Sequence, residues 1–143
     1  MPVWLIILIS VIGLLVLLSV RSYLKLKNAS NDPDSEHLLH LTDADFQKKI
    51  SSGVTLVDFW AGWCMPCKLL GPTISQLADD NAGEVKIAKL NVEESQRTAA
   101  KYGVSSIPTV IVFKNGKEYS RIVGVKPKQH YQNVIDKALK NLS

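Results

Sequence analysis

The sequence is poor in cysteine, with only two cysteines among 143 residues. Two are too few for the disulfide framework of a small secreted domain, and too few alone for a tetrahedral zinc site. The chain also lacks a basic run interleaved with aromatic residues, so its net charge of +4 does not indicate nucleic-acid binding. It contains no internal repeat and no low-complexity segment. What remains is a length that suits one modest folded domain.

Charged residues are absent from Val3–Val20, which is almost entirely apolar. As a helix this run would extend about 27 Å, close to the thickness of a hydrocarbon core. Trp4 and Tyr23 lie near its two ends, where aromatic side chains favour the headgroup region. The alternative is a cleaved signal peptide, but such a leader has a basic start and a shorter apolar core. We therefore predict a transmembrane anchor over residues 1–27, in contact with the lipid bilayer.

The residues after the apolar run predict the topology and the domain boundary. Arg21, Lys25 and Lys27 follow the run closely, and basic residues beside a membrane segment tend to stay in the cytoplasm. Residues 28–35 are small, polar and rich in turn formers, which is typical of a tether. We predict that the folded domain, residues 36–143, is cytoplasmic, with an extracytoplasmic location as the alternative.

The apolar pattern of the folded domain predicts an α/β architecture with the order β-α-β-α-β-α-β-β-α. Alternating strands and helices favour parallel strands, whereas Asn115–Gly116 predicts a hairpin with an antiparallel last strand. Thr42, with Asp45 three residues later, predicts the start of the first helix. The predicted strands are 37–41, 54–60, 85–90, 109–113 and 118–123, and the predicted helices are 42–50, 64–81, 93–102 and 128–142.

The two cysteines are separated by two residues, where the buried strand 54–60 gives way to a helix. Cys64 lies at the helix start, where free N–H groups and the helix dipole favour a thiolate. Pro66 fits the first helical turn, and Cys67 lies on the apolar face of the helix. An exposed, activated thiol beside a shielded one suits attack followed by resolution of a mixed disulfide. We therefore interpret the pair as a redox dithiol.

Two other interpretations of the cysteines stay open. They could be an inert core pair, although the helix-start position and the polar-flanked turn argue against it. They could also form half of a metal site completed by His37, His40 or His130. Surface histidines explain those three residues more simply, so we predict no metal site.

Asp58 is the second unusual residue, because it places a carboxylate inside the apolar run 54–60. Burial disfavours the charged form and should raise its pKa, which suits proton exchange with a buried thiol. The alternative is a strand-end residue bonded to backbone. Lys89, in the middle of the next strand, could lie beneath the same site, but its spacing does not decide this.

Further motifs follow in order along the domain. They are Val57–Asp58–Phe59–Trp60–Ala61, Trp63–Cys64–x–Pro66–Cys67–Lys68, Pro72, Ala88–Lys89–Leu90–Asn91, Tyr102–Gly103–Val104, Ile107–Pro108–Thr109, Phe113–Lys114–Asn115–Gly116 and Gly124. With these motifs, residues 36–143 resemble the thioredoxin family. A lone pair of cysteines at this spacing is a weak signal, whereas several motifs in the right order are a specific one.

The resemblance implies a thioredoxin fold, in which helices flank a central mixed β-sheet. It implies that Cys64 attacks, that Cys67 resolves, and that Asp58, with Lys89 nearby, handles the Cys67 proton. It also implies a cis Pro108 facing the dithiol. Ile107 would offer backbone hydrogen bonds to a bound substrate chain. The predicted substrate-binding residues are Trp63, Met65, Pro66, Ile107, Pro108 and Gly124.

The sequence departs from the family in two places. Met65 stands where thioredoxins typically carry glycine, which leaves the redox potential and the partner set open, and the membrane segment is unusual for the family. We predict a membrane-anchored protein disulfide reductase that needs no cofactor beyond the Cys64–Cys67 pair. Its partners would be disulfide-containing proteins at or near the membrane and an electron-donating thiol reductase. The alternatives are a disulfide oxidase or isomerase of exported proteins, and a redox-idle interaction module.

Overall fold

The computed structural model describes residues 1–29 and 34–140. The chain divides into two compact units, Met1–Pro33 and Asp34–Ser143. Of the predicted tether, residues 30–33 lie outside the described residues, and the last two residues belong to the second unit. Ser35 is held there, because its backbone N–H donates to Ser75 Oγ at 2.7 Å.

The first unit contains a single described helix, α1 (Val3–Ala29). Its apolar part, Val3–Leu24, is long and apolar enough to cross a membrane. A signal sequence near an N-terminus can have a similar length and composition. The helix is therefore compatible with the predicted anchor.

The second unit is built on a five-stranded sheet with the order β1-β3-β2-β4-β5. β1 and β2 are parallel to β3, β4 is antiparallel to β2, and β5 is antiparallel to β4. The predicted mixed sheet is therefore confirmed. The strands are β1 (Leu38–Leu41), β2 (Val54–Trp60), β3 (Lys86–Asn91), β4 (Thr109–Lys114) and β5 (Lys117–Val123).

The direction of β4 differs from the alternating pattern, which favoured a parallel strand. The preceding helix, α4 (Gln96–Lys101), has six residues and extends only about 9 Å. A strand as long as β3, also six residues, extends about 20 Å. Helix length does not decide the direction, because the five-residue α2 (Phe46–Ile50) joins the parallel strands β1 and β2. β4 runs antiparallel to β2 and so begins at the end of the sheet where β3 ends.

Helices cover both faces of the sheet. On one face α3 (Met65–Asp80) and α5 (Lys128–Lys140) bury a core that includes Leu70, Ile74 and Tyr131. On the other face α2 (Phe46–Ile50) packs with Tyr102 against the strands. The predicted buried faces of α3 and α5 are confirmed.

Of two local predictions in this domain, the start of the first helix is wrong and the hairpin turn is confirmed. The first helix of the domain begins at Phe46 rather than after a Thr42 cap, because residues 43–45 form a turn. Asp45 still accepts a hydrogen bond from the Thr42 N–H at 2.7 Å, which closes that turn. The Asn115–Gly116 turn is as predicted, since both residues have positive φ, as a type I′ turn requires.

Candidate active site

The two cysteines lie at the end of β2 nearest the start of α3, and they form a disulfide. Cys64 is the N-cap residue of α3, and its Sγ accepts the backbone N–H of Cys67 at 3.3 Å. Pro66 occupies the first turn, where its lack of an N–H leaves no helical hydrogen bond unmade. The helix start therefore directs a donor at the sulfur of Cys64, as a thiolate there would require.

The expectation that Cys67 is shielded is confirmed, whereas the expectation that Cys64 is exposed is wrong for the disulfide form. Both residues are buried, with 4% of Cys64 and 3% of Cys67 exposed. The Cys64 sulfur is bonded to Cys67 and lies 3.8 Å from the carbonyl oxygen of Ile107. The two sulfurs are thus distinguished by the N–H that Cys64 accepts, rather than by exposure.

The loop before β4 forms one wall of the site. The Ile107–Pro108 peptide bond is cis, and Pro108 is buried. The Pro108 carbonyl oxygen accepts the N–H of Gly124 at 2.9 Å, which joins this loop to the end of β5. Gly124 has a φ of 80°, a conformation that glycine adopts without strain. Of the predicted substrate-binding residues, Ile107 contacts the disulfide, and Pro108 and Gly124 are joined to it through this loop.

The rim of the site carries exposed apolar side chains. Trp63 is 68% exposed, and Met65 and Leu69 are each 64% exposed. Pro66, also predicted to bind substrate, is exposed on the first turn of α3. Trp63 is nevertheless anchored, because its Nε1–H donates to Glu93 Oε1 at 2.9 Å. Glu93 carries no sequence signal for this contact, since an acidic residue after a strand is ordinary.

Asp58 is fully buried in β2, on the sheet face that α3 and α5 cover. Neither of its carboxylate oxygens has a hydrogen-bond partner among the described residues. Burial raises the pKa of Asp58 to about 7, although Lys89 opposes that rise and Asp34 adds to it. The sequence-based expectation of a raised pKa is confirmed, and the alternative of a backbone-bonded strand end does not hold.

Lys89 lies beside Asp58, because the two residues are paired across β2 and β3. Its side chain is only 12% exposed, and its Nζ lies 3.5 Å from an Asp34 oxygen. The same ammonium lies over the Trp60 ring, 4.5 Å from the ring centre. Lys89 is therefore a neighbour of Asp58, which its spacing in the sequence did not decide.

Tyr131 is a further residue at the site that the sequence assigned only to the core. It is fully buried in α5, yet its hydroxyl donates to the Gly124 carbonyl oxygen at 3.3 Å and accepts the Lys126 N–H at 3.0 Å. A tyrosine on an apolar stripe carries no sequence signal for such a contact. Its hydroxyl ties the loop after β5 to the helix beneath it.

The histidines considered as metal ligands lie apart from the dithiol. His37 contacts Asp79 at 3.1 Å, and His40 contacts Asp34 at 3.2 Å. Over residues 1–29 and 34–140, no group of three or more His, Cys, Asp or Glu side chains could hold a metal ion.

Comparison with known proteins agrees with this geometry. The thioredoxin family model matches residues 37–137. Thioredoxins from the Staphylococcus aureus strains Mu50 / ATCC 700699 and MW2 are each 52% identical over 102 residues, spanning 71% of this chain and 98% of the relative. A mutant thioredoxin from Halobacterium salinarum NRC-1 has a TM-score of 0.67 at 29% identity, covering 76% of this chain and 96% of that chain.

The family works through a redox-active cysteine pair and uses no cofactor. Here that pair is present, oxidised, and joined at the N-terminus of a helix beside a cis proline. The family match covers 101 of the 143 residues and begins beyond α1. The chain therefore belongs to the thioredoxin family and is a thiol–disulfide oxidoreductase.

Proposed function

We propose that this protein is a membrane-anchored protein disulfide reductase in which Cys64 attacks and Cys67 resolves. The observation that carries the proposal is the hydrogen bond from the Cys67 N–H to Cys64 Sγ at the start of α3. A donor aimed at one sulfur and not at the other favours the thiolate at Cys64 once the pair is reduced. The reduced pair would then carry two electrons to a substrate disulfide.

The reaction has two exchange steps. The Cys64 thiolate attacks one sulfur of the substrate disulfide, so that the substrate S–S bond breaks, a mixed disulfide forms and the first substrate thiolate leaves. Cys67 then loses its proton and attacks Cys64 Sγ, which releases the second substrate thiolate. The substrate gains two electrons, and the protein is left with the Cys64–Cys67 disulfide. A partner thiol reductase would return the pair to its reduced form.

Asp58 would accept the proton that Cys67 loses. It is buried on the sheet face covered by α3, the helix that carries Cys67. Because its pKa is raised to about 7, the carboxyl can both take up and release a proton near neutral pH. Lys89, paired with it across the sheet, would limit the cost of its charged form.

The substrate would dock on the apolar rim and the cis-proline loop. Trp63, Met65 and Pro66 offer exposed apolar surface beside the disulfide. Ile107 would hydrogen-bond the backbone of an extended substrate segment, with Pro108 and Gly124 lining the same surface. Met65 replaces the glycine typical of the family and adds a flexible, polarizable contact at this rim.

The apolar helix α1 would anchor the domain in a bilayer, with the domain on the cytoplasmic side. Support comes from the apolar length of Val3–Leu24 and from Arg21, Lys25 and Lys27 just beyond its charge-free part. A cytoplasmic thiol pair is kept largely reduced, which suits a reductase. Its substrates would be disulfide-containing proteins at or near the membrane.

Trapping tests the two cysteine roles. In membranes from cells that express the full chain, Cys67→Ser should accumulate mixed disulfides on Cys64, because nothing resolves them. They should appear on non-reducing gels as adducts that dithiothreitol removes, and the matched Cys64→Ser variant should give few. Adducts on Cys64→Ser but not on Cys67→Ser would reverse the roles, and adducts on neither would favour a redox-idle interaction module.

Labelling in sealed cells tests the topology. A membrane-impermeant thiol reagent should leave Cys64 unmodified until the membrane is permeabilised. Modification of Cys64 in intact cells would place the domain outside. It would also move the assignment toward an oxidase or isomerase of exported proteins.

A further inference from the structure

One row of three polar residues crosses three neighbouring strands of the sheet. His40 in β1 is paired with Lys89 in β3, and Lys89 is paired with Asp58 in β2. Their neighbours two positions away, Leu38, Ile87 and Leu56, belong to the core that α3 and α5 cover. Because strand residues two apart share a face, all three members of the row lie on that side of the sheet.

Lys89 is engaged away from Asp58. Its ammonium lies 3.5 Å from Asp34 Oδ1 and 4.5 Å from the centre of the Trp60 ring, whereas Asp58 has no hydrogen-bond partner in the described parts of the chain. The other Asp34 oxygen lies 3.2 Å from His40 Nε2. The Asp34 carboxylate thus lies between two members of the row and leaves the third unpaired.

We propose that Asp34 is a positioning residue that controls the protonation of Asp58 by holding the Lys89 ammonium. The effect on the reaction rests on the proton role proposed above for Asp58. The electrostatics support the geometry, because burial and the Asp34 charge raise the pKa of Asp58 while Lys89 lowers it. An ammonium free to approach Asp58 would favour its charged form, and a charged carboxylate is the form ready to accept the Cys67 proton.

The other described groups that surround Asp58 come from α5, α3, β4 and β1. From α5, the Tyr131 phenol interacts with it electrostatically, and burial raises the pKa of that phenol. From α3, Cys67 is in the disulfide, and from β4 the paired residue is the apolar Val110. On the β1 side, His40 is paired with Asp34. A change at Asp34 therefore acts on Asp58 through the position of Lys89 and through the lost charge.

The test is the titration of the Asp58 carboxyl carbon by NMR in the full-length, oxidised chain in detergent micelles. Asp34→Asn keeps the side-chain size and removes the charge, so the Asp58 midpoint should fall by about one pH unit. The matched control is Asp80→Asn, which removes an exposed carboxylate paired with Lys128 instead. In this control, the titration midpoint of Asp58 should equal that in the unmodified chain. An unchanged or higher midpoint in Asp34→Asn would overturn the proposal.

A second background tests the route through Lys89. In Lys89→Met, the added Asp34→Asn change should move the Asp58 midpoint by less than half as much as it does with Lys89 present. An equal movement would mean that Asp34 acts without Lys89, which contradicts the proposal. Because the readout is a titration, it does not depend on catalysis. If the midpoint moves but the pH profile of disulfide reduction does not, the proton role of Asp58 fails and the control by Asp34 stands.

Discussion

Replacing the buried acid, Asp58→Asn, should make the domain more stable at neutral pH. The carboxyl is fully buried, and neither oxygen has a partner within the described residues. Its pKa is raised from 3.8 to about 7, chiefly by burial. The native state thus holds this proton more tightly than the unfolded chain, so the unfolding free energy falls as the pH rises from 3.8 to about 7.

The magnitude follows from the two pKa values. A difference of about three pH units corresponds to about 4 kcal/mol of unfolding free energy at high pH. The contribution of this group is fully present below pH 3.8 and is lost as the pH rises to about 7. Asparagine does not ionise, but its buried amide would also lack partners, at a cost of about 1–3 kcal/mol. We therefore expect a net gain of about 1–3 kcal/mol at pH 8.

Urea unfolding of the oxidised, full-length chain in detergent measures this, followed by the fluorescence of Trp60 and Trp63. Between pH 5 and pH 8 the unmodified chain should lose about 2–3 kcal/mol relative to Asp58→Asn. The two proteins differ only at this side chain, so the difference isolates Asp58. Asp80→Asn, at an exposed position, is the control and should follow the unmodified chain. Parallel pH curves for Asp58→Asn and the unmodified chain would refute the reasoning.

Three further predictions concern the site and its surroundings. Asp58→Asn should also slow disulfide reduction near pH 7, and equal rates from pH 6 to 9 in a turbidity assay would contradict a proton role. Tyr131→Phe should destabilise the chain by about 1–2 kcal/mol, measured by urea unfolding, because it leaves the Lys126 N–H without its acceptor. Glu93→Ala should raise the KM for a protein disulfide about two- to fivefold with kcat little changed, because Trp63 loses its acceptor. Glu93→Gln keeps an acceptor oxygen and should restore the KM; equal KM values for both variants would refute this role.

The parts of the fold that depend on local pattern could be predicted from the sequence. The apolar run of β2, the periodicity of α3 and α5, and the Asn115–Gly116 turn each follow from rules that act within a few residues. The direction of β4 could not be predicted in this way. It depends on the pairing of β4 with β2, two strands far apart in the sequence, and rules that act within a few residues do not determine that pairing.

In the candidate site, too, local features could be predicted from the sequence, whereas contacts between distant residues could not. The dithiol and the buried acid could be found from sequence, because a carboxylate in an apolar strand and cysteines at a helix start are local anomalies. The partners of Lys89 could not be found. Asp34 lies in a segment whose composition is that of a linker, yet it approaches Lys89, 55 positions along the chain. Nor could the burial of Cys64 be read from position alone, because it depends on the disulfide and on the Ile107 loop.

The reduction potential of the Cys64–Cys67 couple tests the reductase assignment most directly. The full-length chain in detergent is equilibrated with glutathione buffers of known ratio, quenched by alkylation, and the oxidised fraction is read from the mass of the product. A reductase should have a potential near that of thioredoxins, about −270 mV, even with Met65 in place of the family's glycine. A potential near about −120 mV, which is typical of a strong disulfide oxidant, would contradict the reductase assignment.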